Sequence, residues 1–199
     1  MSPADLLIHF GYDSTRTTPG CDHTIFSDVI ALTRPRNILE TGFFRGGSAA
    51  ALLYLSGDAT LTSVDPMQGT DNLLSNAPLL QSAFPDRFTL LQKSSADVRG
   101  DLAGQRFDLF NLDGDHSRGG VENDYQLALD LDIPWVLVDD FLGDVRWAYE
   151  DRYRAHFAPI RVYARDDRHN GHAIPRVLMK QRRHLVEGDA EVGLGEHHQ

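Results

Sequence analysis

Acidic residues and a histidine stand directly after two short apolar runs, where they could do chemistry. Asn111-Leu-Asp113-Gly-Asp115-His116-Ser117 follows one run, and Asp139-Asp140 follows the next. If these runs are neighbouring strands, four carboxylates converge on one rim. Like charges held so close resist joint ionisation. Either raised pKa values or a bound cation relieves the repulsion. Hard oxygen ligands suit Mg²⁺, Ca²⁺ or Mn²⁺. The plainer alternative is an Asp-Gly turn followed by an Asp-Asp helix cap. His116 has the intrinsic pKa of a base that works near neutral pH. Asp115 suits the same role if its acidic neighbours raise its pKa.

A second group points to a ligand with a ribose. Glu40-Thr-Gly42-Phe-Phe-Arg-Gly46-Gly47-Ser48 follows an apolar run and opens a helix. Glycines let a backbone turn sharply and let a ligand approach it closely. The helix start adds free N–H donors and positive potential. No Gly-Lys-Ser/Thr follows, so this is no P-loop, and the spacing is not G-x-G-x-x-G. Asp65 ends the next run, in Thr62-Ser-Val-Asp65-Pro66. A carboxylate there can accept both hydroxyls of a ribose. A tight turn at the glycines and a turn start before Pro66 are the plainer alternatives.

The elements that must position these residues alternate between strand and helix. Helical patterning is expected over 23–32, 46–55, 71–84, 121–131 and 142–157. Strands are expected over 37–41, 61–65, 88–92, 107–112 and 134–138. The segments 160–164 and 173–179 flank the turn-rich run 165–171 and read as a closing hairpin. Five β-then-α units and a hairpin make an α/β fold, a doubly wound and mostly parallel sheet with an antiparallel edge. Such sheets bind ligands at the carboxyl ends of their strands. Residues 1–22 read as an irregular N-terminal segment and candidate lid, 23–180 as the domain, and the residues from Gln181 as a polar tail.

Bulk properties narrow the classes. A length of 199 residues fits one domain. The net charge of −10 argues against nucleic acid as a main partner. Residues 144–184 nevertheless hold ten Arg or Lys and five Asp or Glu, which reads as a solvated face or as a basic face for an anion. The lone Cys21 cannot form an internal disulfide, which fits a reducing compartment. No run approaches the ~18–20 apolar residues of a membrane span. The N-terminus lacks the basic-then-apolar order of a signal peptide. A cytoplasmic location is expected, without a membrane partner; a homo-oligomer stays open.

The chain resembles class I S-adenosylmethionine-dependent methyltransferases. Within them it looks most like the metal-dependent O-methyltransferases of the macrocin and novobiocic acid type. The resemblance rests on Ile38-Leu-Glu-Thr-Gly42 with Gly46-Gly47-Ser48, on Ser63-Val-Asp65-Pro66, on Phe107–Ser117 with Val121-Glu-Asn-Asp124, and on Val136-Leu-Val-Asp-Asp-Phe141. It implies a seven-stranded sheet that binds S-adenosylmethionine, a divalent cation such as Mg²⁺, and a small-molecule hydroxyl acceptor. By resemblance, Glu40 and Gly42 lie by the methionine part, with Gly46 and Ser48 beside them. Asp65 holds the ribose, and Ser94 or Ser95 approaches the adenine. Asp113, Asp139 and Asp140 hold the metal, Asp113 also near the cofactor, and Asp115 or His116 takes the proton. The third strand departs from the family by ending Gln92-Lys-Ser-Ser95. Two rivals remain. One is a cephalosporin-hydroxylase-like oxygenase holding Fe²⁺ with Asp113, His116 and a second His. The other is a nucleotide-binding domain without turnover.

Overall fold

The computed structural model describes residues 9, 22–66, 76–166 and 173–194. Helix α1 (Asp22–Thr33) precedes β1 (Asn37–Thr41), α2 (Gly47–Leu55), β2 (Thr60–Val64), α3 (Asn76–Ala83) and β3 (Phe88–Leu91). Then come α4 (Arg99–Leu102), β4 (Leu109–Leu112), α5 (Arg118–Asp130), β5 (Trp135–Val138) and α6 (Gly143–Ala148). A π-helical turn (Tyr149–Tyr153) leads into β6 (Phe157–Asp166), which pairs with β7 (Ala173–Gln181). The candidate lid up to residue 21 apart from residue 9, residues 71–75 of the third expected helix and residues 167–171 of the expected turn lie outside the described residues.

The seven strands form one sheet in the order β3-β2-β1-β4-β5-β7-β6. Neighbours from β3 to β5 are parallel, while β7 runs antiparallel to both β5 and β6. This is the doubly wound sheet with an antiparallel edge that the sequence pattern predicts. Its central strands are short and apolar because both faces are covered. Side chains alternate between the two faces. Ile38, Leu109 and Leu137 join the core under α1, α2 and α3, with Phe26, Leu52 and Leu80. Leu39, Phe110, Val136 and Val138 join the core under α5 and α6, with Val121, Tyr125 and Tyr149.

Two helices differ from their expected bounds for identifiable reasons. Helix α5 begins at Arg118 rather than 121 because Ser117 caps it, accepting from the Gly120 N–H at 3.3 Å. The adjacent Gly119-Gly120 hides that start in the sequence. The helix expected over 142–157 ends at Ala148 and loosens into the π turn, which places Tyr153 against Tyr125 with ring centroids 4.9 Å apart. Phe157, expected in the helix, instead starts β6 and packs on the same ring at 5.5 Å. Helix α4 is too short to show in the periodicity.

As far as residue 194, the expected tail is tied to the body. Gln181 is in β7, Arg182 pairs with Glu191 at 2.6 Å, and the Val192 N–H donates to the Pro159 carbonyl at 2.9 Å. The basic excess of 144–184 is largely spent in ion pairs: Arg152 with Glu122, Arg161 with Asp28, Lys180 with Asp189, Arg183 with Asp132. Among the described residues, no helix is long and apolar enough to cross a membrane.

One charge lies in the middle of the sheet. Glu40 of β1 is fully buried, at 0 % exposure. Strand register sets it opposite Ser63 of β2 and Asn111 of β4. Ser63 Oγ donates to Oε2 at 2.6 Å, Ser48 Oγ of α2 to Oε1 at 2.6 Å, and Asn111 Nδ2 to Oε1 at 3.2 Å. Burial nonetheless dominates and pushes the carboxyl up to about 7. Folded protein therefore holds this proton where unfolded chain has lost it, so stability falls as pH rises from the unfolded value through about 7. Glu40→Gln, an isostere of the protonated form, escapes that loss. In urea unfolding, the wild type should lose on the order of 2–3 kcal/mol relative to Glu40→Gln between pH 5 and pH 8. An unchanged difference across that range contradicts the buried ionisation.

Candidate active site

Strand register builds a rim of chemistry. Thr41, Val64, Leu112 and Val138 end their strands at one level. The next residues, Gly42, Asp65, Asp113 and Asp139, therefore stand side by side along the carboxyl ends, where open α/β sheets take ligands.

The glycine loop is fitted to that rim. Gly42 has φ +84°, and its N–H donates to the Val64 carbonyl at 3.0 Å. A Cβ there would come within 1.9 Å of the Asp113 carbonyl oxygen, so only glycine fits both the dihedral and the approach. Gly46, at φ +81°, is the N-cap of α2 and provides no side-chain cap. The first-turn N–H groups of α2 are thus left as donors for a ligand. Asp65 Oδ2 accepts from the Phe44 N–H at 2.9 Å, tying the loop to the end of β2. Phe44 itself is at φ +44° and 61 % exposed. Ser48 faces inward onto Glu40.

Beyond the β3 end, Ser95 Oγ accepts from Asn123 Nδ2 of α5 at 2.9 Å. Ser94 Oγ accepts from the Ala96 N–H at 3.2 Å and shapes the turn. Asp124, also of α5, accepts from Thr41 Oγ1 at 2.8 Å and is pushed up to about 6 by burial. The sequence pattern gave no separate role to Asn123 or Asp124, which brace the rim from behind.

His116 lies between two carboxylates. Its Nε2 is 3.4 Å from Asp113 Oδ1, and its Nδ1 is 3.4 Å from Asp140 Oδ2. The Asp113 carboxylate holds the imidazole pKa above its ordinary value, with Asp140 and Asp139 adding to the effect. Burial pushes Asp113 up to about 6. Asp140 adopts φ +44°, a left-handed conformation that costs energy for a residue with a Cβ. Asp115 is placed differently. It is exposed, and its carboxylate turns back to accept from the Ser117 N–H and Oγ, both at 2.9 Å. Of the two candidate bases, His116 is the one flanked by the rim carboxylates.

Asp139 meets a residue that the sequence pattern did not single out. Arg176 of β7 donates from Nε to Oδ1 at 2.5 Å and from Nη2 to Oδ2 at 2.8 Å. The side chains are 3 % and 2 % exposed. The guanidinium also stacks 4.9 Å over the Phe26 ring of α1. A signal was present: Arg176 is a lone cation inside the apolar run Ile174-Pro-Arg-Val-Leu-Met179. Such a charge needs a buried partner.

These residues do not fit a divalent ion held by Asp113, Asp139 and Asp140. Both Asp139 oxygens face a guanidinium, and an imidazole separates the other two carboxylates. Among the described residues, no group of three or more His, Cys, Asp or Glu has a metal-holding arrangement. His184 pairs with Asp132, and His169, His172, His197 and His198 lie outside the described residues. Trp147 is 54 % exposed on α6, and Tyr149 is buried in the core.

Known proteins share this architecture. A family model described as a methyltransferase domain matches residues 39–141, over half the chain. No curated protein matches by sequence. An O-methyltransferase from Bacillus cereus, solved with S-adenosylhomocysteine, superposes with a TM-score of 0.64 at 13% identity, covering 90% of each chain. TomG from Streptomyces achromogenes, an O-methyltransferase of tomaymycin synthesis solved with S-adenosylmethionine, gives 0.61 at 16% identity, covering 90% of this chain and 87% of its own. The methyltransferase PaMTH1 from Podospora anserina, solved with S-adenosylhomocysteine, gives 0.61 at 16% identity, covering 89% and 88%. The matched segment contains the glycine loop, Asp65, the Asp113–His116 turn and Asp139-Asp140, and the chain belongs to the methyltransferase-domain family, with the class I S-adenosylmethionine-dependent fold.

Proposed function

We propose that this chain transfers a methyl group from S-adenosylmethionine to a hydroxyl of a small molecule. The observation that carries the reading is the rim itself. It sets a glycine loop and helix start after β1, the Asp65 carboxylate after β2, and His116 between carboxylates that follow β4 and β5. The O-methyltransferases that share the fold support the choice of oxygen as acceptor atom.

S-adenosylmethionine supplies an activated methyl group, so the acceptor oxygen bonds to that carbon as its bond to sulfur breaks and the electron pair stays on sulfur. What remains for the protein is positioning and proton removal. We assign the methionine part to the loop at Gly42, Gly46 and the start of α2, above Glu40. We assign the ribose hydroxyls to Asp65 and the adenine side to Ser94 and Ser95. We assign removal of the hydroxyl proton to His116, which turns one ring nitrogen from its carboxylate to the acceptor. Asp113 and Asp140 orient the ring and stabilise the imidazolium that forms. The Mg²⁺ implied by the resemblance has no part in this account, because Asp139 is engaged by Arg176.

Calorimetry tests the cofactor. S-adenosylhomocysteine should bind with micromolar affinity, on the order of −8 kcal/mol. Asp65→Ala should weaken it about tenfold or more, near 1.4 kcal/mol. Gly42→Ala should abolish binding, since its Cβ collides with the Asp113 backbone. A wild-type protein that binds neither S-adenosylmethionine nor its product refutes the reading.

Turnover tests the base. Release of S-adenosylhomocysteine should be followed over a panel of phenols and sugars. His116→Gln should lower kcat about 10²–10⁴-fold while cofactor affinity holds. His116 must be neutral to act, and its pKa is held above that of a free histidine. The acid limb of kcat/KM should therefore lie above about 6.5 and move down in Asp140→Asn. A limb that ignores both substitutions assigns the proton to another group.

A further inference from the structure

We infer that Arg176 stands in this site where a divalent cation would otherwise be needed, so that the chain works without a bound metal. This rests on the methyltransferase reading and concerns how the same site handles its charge. Three carboxylates, Asp113, Asp139 and Asp140, gather at the ends of β4 and β5. Two nitrogenous side chains separate them. His116 lies between Asp113 and Asp140, 3.4 Å from each. Arg176 clasps both oxygens of Asp139.

The sheet itself sets that clasp. Val138 of β5 pairs with Val177 of β7 in antiparallel register. One step further, Asp139 faces Arg176. The Phe141 N–H continues the contact, donating to the Pro175 carbonyl at 2.8 Å. Arg176 cannot readily swing aside, because it is 3 % exposed and lies over Phe26 at 4.9 Å. A divalent ion on Asp139 would stand beside a buried guanidinium and be repelled by it. Displacing the guanidinium would strand its charge in the core, which is strongly unfavourable. Unlike a bound ion, a guanidinium remains charged and is never exchanged with solvent.

Mn²⁺ is the probe, read by the loss of its free-ion electron paramagnetic resonance signal, and no turnover is needed. Wild-type protein with S-adenosylhomocysteine should leave micromolar Mn²⁺ free. Arg176→Gln should tighten Mn²⁺ binding about tenfold or more, and adding Asp139→Asn should abolish the gain. Wild-type protein that holds Mn²⁺ with a micromolar Kd, lost in Asp139→Asn, overturns the inference. A folded Arg176→Gln that gains no affinity overturns it too. If Arg176→Gln fails to fold, the wild-type measurement decides alone. S-adenosylhomocysteine affinity, measured on the same samples, reports separately on the methyltransferase reading.

Discussion

The carboxylate of Glu40 sits in the middle of a sheet that is otherwise apolar at that depth, and much else follows from holding it there. It draws hydroxyls from β2 and α2 and an amide from β4. Those bonds fix the register of three strands and the start of the helix behind the glycine loop. An uncompensated carboxylate in that position would cost several kcal/mol. The cage therefore constrains every element it touches, and the strand ends keep one common level. The rim depends on that level.

Charge management continues outward along the same strands, with a change of method at each step. Glu40 is satisfied by neutral donors. Asp113 and Asp140 have an imidazole between them, close enough to hold its pKa up. Asp139 receives a full guanidinium. Surface pairs such as Arg118 with Glu122 add little by comparison, because water screens them. Removing one partner of the buried Asp139–Arg176 pair would leave a charge with nowhere to go.

The order of elements and most strand bounds were legible in the sequence, because fully buried parallel strands read as short apolar runs. Asn37–Thr41 is a clear case. The strand-end residues were legible for the same reason, since each follows directly on its run. Three things were not. The start of α5 was hidden by Gly119-Gly120, whose weak propensity masks a cap formed by Ser117. The break at Tyr149 depends on packing around Tyr125, which no local pattern encodes. The pairing of Asp139 with Arg176 spans 37 residues and is set by the register of a returning strand. Spacing rules applied to the acidic residues alone could not reveal that Asp139 had a cation of its own.

That returning strand has a consequence for how the molecule is made. Glu40, Asp65, Asp113 and Asp139 all precede Arg176 in the chain, and synthesis runs from the N-terminus. While the ribosome still holds β7, the first five strands can assemble, but Asp139 lacks its counter-charge. Until β7 arrives, β5 is an open edge that carries Asp139 at its end. Insertion of β7 between β5 and β6 both closes the sheet and neutralises that edge. Closing the sheet and completing the site are therefore one step.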